Sequence, residues 1–356
     1  TWPGNIIVNT PGEIYGPPAP TLGLQRRRWT CRLNHAIVLD AAMKFGFYLP
    51  NNGPTARPDP LAEIARRGDQ LGFHCMVAGD HILVPKTVES PYPYTVSGEF
   101  SGGESGEYFE QLTLLTFLAG ITRRIRLVPS VMIVPYRNPL LAAKMLATLD
   151  VLSQGRLTLG VGVGWMEEEF VALDAPPFEE RGAVTNEYLR AFKELWTSDN
   201  PTFEGKYCRF SDINFLPKPV QKPHPPIWVG GQSRQAIRRA AELGNGWHPV
   251  GAIPAAPLEP EELAENVATL RRYAQRAGRD PAEIEVAMKS PLYDPGAPSA
   301  GNRRRFSGVP EQILQDVHTY AQVGVSHIIF DIRSADLNQS LERMAWFAQE
   351  VMARAG

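Results

Sequence analysis

The sequence predicts an α/β protein, a (β/α)8 TIM barrel with insertions at the C-terminal mouth. Three observations lead there. Short apolar runs, each followed by a helical pattern, recur eight times after residue 42. Two of them, at 125–131 and 157–163, are separated by a single helix-length segment, 140–152, and such a βαβ unit forces parallel strands with a right-handed crossover. The residues least suited to a strand interior crowd the C-terminal ends of the runs, where parallel α/β folds carry their sites. A doubly wound open sheet shares this alternation and is the competing architecture.

In chain order, strands are expected near residues 44–49, 73–78, 125–131, 157–163, 227–230, 246–250, 284–289 and 327–331. The helices follow from period and punctuation. Over 59–71, Asp59 is an N-cap, Pro60 takes the first helical position, and Leu61, Ile64, Ala65 and Leu71 form a face. Asn138 caps and Pro139 opens the helix over 140–152. Over 186–196, Leu189, Phe192, Leu195 and Trp196 share one side. Segments 233–243, 260–277, 310–323 and 337–353 read similarly. Gly72, Gly244, Gly278 and Gly324 stand where a helix C-cap belongs. Three stretches rich in Pro, Gly and Ser, 82–106, 170–225 and 292–307, each follow a strand and are expected over the mouth as a lid or substrate wall.

The totals narrow the function classes. A chain of 356 residues, 43% apolar and 21% charged, can bury a large core. A net charge of −2 carries no basic footprint for nucleic acid. Cys31, Cys75 and Cys208 have no C-x-x-C spacing, which argues against a disulfide framework or zinc site and fits a reducing cytoplasm. No run of about 18 apolar residues predicts a membrane span. Residues 1–42 are rich in Pro and Gly, carry Arg26-Arg27-Arg28, and lack the apolar segment of a signal peptide. Met43 opens a clean strand. The folded domain is therefore expected over 43–356, with 1–42 an irregular N-terminal extension; the rival reading is an arm that wraps a partner subunit.

Chemistry concentrates at strand ends. Asp80-His81 follows the second strand, where His81 could shuttle a proton and Asp80 hold its tautomer or bind a polar group; Asp80 could equally be a turn cap. Ser130-Val131 ends the third strand, with ordinary strand termination the plainer reading. Arg137 could meet an anion. Gly160-Val-Gly162-Val163-Gly164 is spaced GxGxG rather than GxGxxG and lies within a strand, so it is a weak dinucleotide signal. Close approach of a flat ligand to backbone lacking Cβ atoms suits it better. Trp165 could wall that ligand or anchor a helix start. Gly230-Gly231-Gln232-Ser233 leaves N–H groups uncovered at a helix start, a phosphate-binding arrangement, with a plain βα turn capped by Ser233 as the alternative. Gly308 is a weaker phosphate candidate. Arg303-Arg304-Arg305 reads as a solvated face that could steer an anion. Glu167-Glu168-Glu169 reads as acidic residues in a first helical turn. No metal-ligand spacing, GxSxG elbow or P-loop occurs.

From Met43 onward the chain resembles the bacterial luciferase-like monooxygenase superfamily. The likeness is carried by Lys44-Phe-Gly-Phe-Tyr-Leu-Pro50, Asp80-His81, Arg124-Ile-Arg-Leu through Arg137-Asn-Pro139, Leu152-Ser-Gln-Gly-Arg-Leu-Thr-Leu-Gly-Val-Gly162, Pro217 to Gly231, and Ala240-Ala-Glu-Leu-Gly-Asn-Gly-Trp247. The details most resemble the oxidoreductases that use the deazaflavin coenzyme F420. The resemblance implies a TIM barrel, often dimeric, with a non-proline cis peptide at Ser130-Val131 forming a bulge behind the cofactor ring. It implies that Asp80 contacts the cofactor, that His81 lies near the reacting centre, that Gly162, Val163 and Gly164 lie beside the ring, and that Gly230, Gly231 and Ser233 lie near its tail. Sugar-phosphate dehydrogenases of that branch have a Glu where Trp165 stands and a Trp soon after the Asp-His pair, where this chain reads Ile82-Leu-Val-Pro85. A less polar organic substrate is therefore expected. The implied activity is hydride transfer with reduced F420 in the cytoplasm, by a homodimer. The alternatives are an FMNH2-dependent two-component monooxygenase supplied by a flavin reductase, and a non-catalytic flavin-binding barrel. An aldolase-type barrel would want a lysine or metal cluster at the strand ends, and Lys289 is the lysine found there.

Overall fold

The computed structural model describes residues 42–100, 106–296 and 303–355. The extension read over 1–42 lies, Ala42 apart, outside the described residues.

Eight strands make the barrel: β1 (Lys44–Tyr48), β2 (Cys75–Ala78), β3 (Arg126–Pro129), β4 (Leu159–Gly162), β5 (Ile227–Gly230), β6 (Gly246–His248), β7 (Glu285–Pro291) and β8 (His327–Asp331). All pair in parallel, in the order β3-β2-β1-β8-β7-β6-β5-β4. The ring closes on β3 itself. Beyond Pro129 the chain bulges, then resumes as Met132–Ile133, which pairs with Val161 and Gly162 of β4, while Leu127 bridges Leu157 below. The doubly wound alternative is thereby excluded.

Period-two alternation sorts each strand into two faces. Outward residues such as Phe45, Phe47, Met76 and Ala78 join the large core shared with the helices. Inward residues Cys75, Val77, Val128, Trp228, Ala287 and Ile329 form a second, smaller cluster inside the ring. Two residues further along the inward rows come Ser130, Gly230, Lys289 and Asp331, which line the mouth. The register thus aims the chemistry-bearing side chains upward.

The helices are α1 (Pro58–Leu71), α2 (Gln111–Ile121), α3 (Pro139–Leu152), α4 (Glu167–Ala172), α5 (Arg181–Thr197), α6 (Arg234–Leu243), α7 (Pro260–Arg276), α8 (Pro310–Gln322) and α9 (Leu337–Glu350). Four expectations need correction. The α1 cap is Arg57 with Pro58 in the first turn, not Asp59 with Pro60, because Pro58 pre-sets the helical φ one step earlier. Helix α2 was not expected, since its sequence is apolar nearly all round and shows no periodic stripe. Gly244 ends α6 in an extended conformation (φ −96°), whereas Gly72 is left-handed (φ +83°). The segment 170–225 is no lid: it holds α5, a barrel helix whose Leu189, Phe192 and Leu195 are fully buried, and a short antiparallel pair, Phe203–Glu204 with Arg209–Phe210.

Candidate active site

A cavity of about 580 Å³ opens at the C-terminal mouth of the barrel. Of the three segments expected to wall it, 82–106 does so through Tyr92, Pro93, Tyr94 and Phe100. Among the described residues, neither 170–225 nor 292–307 contributes to the lining.

One side of the cavity is the bulge after β3. The Ser130-Val131 peptide is cis, as the resemblance implied. Val131 lies against strand glycines. A Cβ on Gly162 would stand 2.5 Å from Val131 Cγ2, and one on Gly230 would stand 2.9 Å from Val131 Cγ1. Both glycines leave room for this side chain, which lines the cavity with them. Ser130 is buried and tied across the barrel to His248 of β6, Oγ to Nε2 2.9 Å. His248 Nδ1 donates to the Ala287 carbonyl, so Nε2 accepts and the Ser130 hydroxyl donates. Burial, then the nearby charge of Lys289, lower the His248 pKa to about 3 and keep the ring neutral.

Opposite stands His81, directly after β2. Its Nδ1 lies 2.9 Å from Oε2 of Glu169, a fully buried residue on α4. Glu169 also accepts from the Ile82 N–H (2.8 Å), the Leu83 N–H (3.3 Å) and the Tyr136 hydroxyl (3.0 Å). Donors thus converge on this carboxylate, which fixes the proton of His81 on Nδ1. Nε2 is left as a lone-pair nitrogen with no partner among the described residues, in a side chain that lines the cavity. Burial, then Glu169, raise the Tyr136 pKa well above its ordinary value, so that hydroxyl stays a donor. Neighbouring Glu168 pins the same loop by accepting from the Glu89 and Ser90 N–H groups (2.6 and 2.9 Å). Of three adjacent glutamates, then, one orients the histidine, one clamps the loop, and Glu167 is exposed. The sequence reading missed Glu169, since a run of glutamates at a helix start needs no tertiary explanation.

Asp80 lines the cavity but does not touch His81. Its carboxylate takes both ends of Arg137 (2.7 and 2.8 Å) and the Ile133 N–H (2.9 Å). Burial opposes the charge of Arg137, but Asp80 and then Glu110 (2.7 Å) outweigh it and raise its pKa. Asp80 is therefore not the group that holds the His81 tautomer, and Arg137 meets a protein carboxylate rather than a free anion. Through Ile133, Asp80 anchors the chain just after the bulge.

An aromatic wall closes the His81 side. Ring centroids lie 4.9 Å apart for His81–Tyr108, 5.1 Å for Tyr92–Trp165 and 5.2 Å for Phe100–Trp165. Trp165 is half-buried and lines the cavity, so it is a wall and not a core anchor. Burial raises the pKa of Tyr48, Tyr92, Tyr94 (to about 12) and Tyr108, which keeps these hydroxyls neutral. On the β8 side, Arg333 pairs with Asp331 (2.7 Å) and stands over the Tyr48 ring at 5.3 Å.

Val163 and Gly164, with Gly230 and Gly231, also reach the cavity. Ser233 does not; its hydroxyl accepts from the Ala236 N–H (3.2 Å) and caps α6. Gly308 lies outside the cavity, paired beside Pro295. Arg303 and Arg305 are no solvated face: both pair with buried Asp316, and Arg305 also with Glu259.

Residues 43–294 match the model of the luciferase-like monooxygenase family, and the chain belongs to that family. It is 36% identical over 163 residues to the FMNH2-dependent dimethylsulfone monooxygenase of Pseudomonas putida, spanning 45% of this chain and 44% of that one. Its structure is similar to that of a monooxygenase from Streptomyces bottropensis (TM-score 0.71, 26% identity, 88% of this chain and 100% of that one). The coenzyme F420-dependent tetrahydromethanopterin reductase of Methanopyrus kandleri shares the fold (TM-score 0.68, 18% identity, 89% and 100% coverage).

Proposed function

We propose that this protein is a deazaflavin-dependent oxidoreductase, in which a hydride passes between coenzyme F420 and a small, weakly polar organic substrate. The observation that carries the proposal is the arrangement of one cavity. On one side Val131, seated against the Cβ-free strand ends at Gly162 and Gly230, makes with them a wall on which a flat ring can lie; on the other a carboxylate-oriented histidine presents a nitrogen with no partner among the described residues. A wall of strand-end backbone and one bulge side chain, with the glycines letting that side chain seat closely, is a surface against which a planar cofactor can stack. When bound, the cofactor would accept or supply the hydride according to its redox state.

The chain supplies everything else. Val131, Gly162, Val163 and Gly164 hold the ring, and Gly230 and Gly231 face its tail, with Ser233 fixing the helix start behind them. Asp80 acts through the Ile133 N–H, keeping the bulge in place. His81 Nε2 takes the proton of a substrate hydroxyl as hydride leaves the adjacent carbon, or returns it in the reverse direction, while Glu169 stabilises the imidazolium. Trp165, Tyr92, Phe100 and Tyr108 exclude water and favour substrates with apolar bulk.

A second reading, an FMNH2-dependent two-component monooxygenase supplied by a flavin reductase, is favoured by the identity to the dimethylsulfone enzyme. Anaerobic assays with reduced F420 and a panel of enones and ketones, and with oxidised F420 and secondary alcohols, test the proposal. Substrate-dependent redox change of F420, abolished by His81→Ala, is expected. Turnover only with FMNH2 and oxygen would replace the first reading by the second.

A further inference from the structure

Among the described residues, one cation of the cavity has no counter-ion. Asp80 is matched to Arg137, Glu169 to His81, and Asp331 to Arg333. Lys289, at an inward position of β7 two residues beyond Ala287, lines the cavity and is only 7% exposed. Among the described residues its ammonium makes no hydrogen bond or ion pair, and burial lowers its pKa to about 8. The Lys289 stem is buried but its nitrogen keeps access to the cavity, and a largely desolvated ammonium without a counter-charge is normally paired or serves a ligand.

Its position says which ligand. The Lys289 N–H bonds the Pro249 carbonyl, next to His248, and His248 in turn holds Ser130 of the bulge. The ammonium therefore belongs to the β6–β7 side of the cavity, next to the residues that tie down the bulge. The aromatic wall where a substrate would enter stands on β2, β4 and their loops. His248 on the adjacent strand is neutral, so nothing there cancels the charge. A neutral ring that gains a hydride, or two electrons and one proton, carries one negative charge delocalised onto its carbonyl oxygens, which a fixed ammonium favours over the neutral oxidised ring.

We infer that Lys289 is the counter-ion of the deprotonated reduced cofactor ring, and that it sets the preference of the protein for reduced over oxidised cofactor. This rests on the cofactor site proposed above.

The test is anaerobic titration of the whole protein with oxidised and reduced F420 and with oxidised and reduced FMN, for the wild type, Lys289→Met, Lys289→Gln and Lys289→Arg. The readout is the ratio of the two Kd values for the cofactor that binds. Both neutral variants should lower the preference for the reduced form by about tenfold or more, which is about 30 mV in a two-electron potential, with the oxidised Kd changed little. Lys289→Arg should restore most of the preference. The Kd of benzoate, an aromatic carboxylate, is measured in the same variants. An unchanged ratio with weaker benzoate binding overturns the inference and makes Lys289 a substrate counter-ion. An unchanged ratio with unchanged benzoate binding overturns it outright. If the wild type binds neither cofactor in either state, the cofactor site fails as well; if it binds one and the ratio ignores Lys289, the inference fails alone.

Discussion

Glu169→Gln is the substitution that most sharply separates orientation from packing at this site. The side chain keeps its shape, but one carboxylate oxygen becomes an amide NH2. If the amide oxygen keeps the Ile82 and Leu83 N–H groups, the NH2 faces Tyr136 and His81 Nδ1. Tyr136 can adjust by rotating its hydroxyl. His81 can adjust only by accepting at Nδ1, which moves its proton to Nε2 and removes the lone pair from the cavity. All four hydrogen bonds to the carboxylate lose their charge assistance, a loss of at least about 2 kcal/mol in stability. A positioned acid–base group contributes about 10²–10⁴ in rate, so kcat should fall by at least about 10².

Turnover, urea melts and 15N spectra of the His81 ring check these together. The spectra should show Nε2 changing from lone-pair to protonated nitrogen. Glu168→Gln is the control: Glu168 clamps the same loop but touches no histidine, so it should soften the loop and leave kcat within about threefold. A Glu169→Gln enzyme with near-wild-type kcat, or equal losses in both variants, would refute the orienting role.

Other predictions follow from the same geometry. Gly162→Ala sets a Cβ 2.5 Å from Val131; overpacking of about 1–3 kcal/mol should lower Tm slightly and weaken cofactor binding by at least about tenfold in a fluorescence titration. Asp80→Asn leaves buried Arg137 with Glu110 as its remaining carboxylate, and urea melts should show a loss of about 3 kcal/mol. Burial above all holds His248 and His327 neutral, with pKa values of about 3 and about 2 against an ordinary 6.5. Below pH 6.5 the unfolded chain binds the extra protons, so their contribution is complete above that pH and is lost as pH falls toward 3. Each should steepen acid destabilisation by about 1.4 kcal/mol per pH unit, and His327→Gln should flatten the profile.

The barrel was legible because its strands are short apolar runs with caps and glycines between them, and β5 and β8 fall where the residues placed them. Helix α2 was hidden by its own apolarity, since a helix buried on most sides loses the stripe that reveals it. At the site, His81, Val131 and the strand-end glycines could be found because their position at β-strand ends is a local property. Glu169 could not: what distinguishes it from Glu167 and Glu168 is that α4 turns it under the loop after β2, a contact spanning 88 residues. Lys289 was visible as a lysine at a strand end, but its lack of a partner among the described residues is a fact of the assembled barrel. Asp80 shows the opposite case, where a pair adjacent in sequence is split between two different partners.

The measurement that bears most directly on the cofactor assignment is parallel anaerobic titration of the protein with F420 and FMN, each oxidised and reduced. Tight binding of F420, with FMN weaker by at least about tenfold, is the predicted result. Tight binding of FMN alone would contradict it and make the chain a flavin-dependent monooxygenase of the same family.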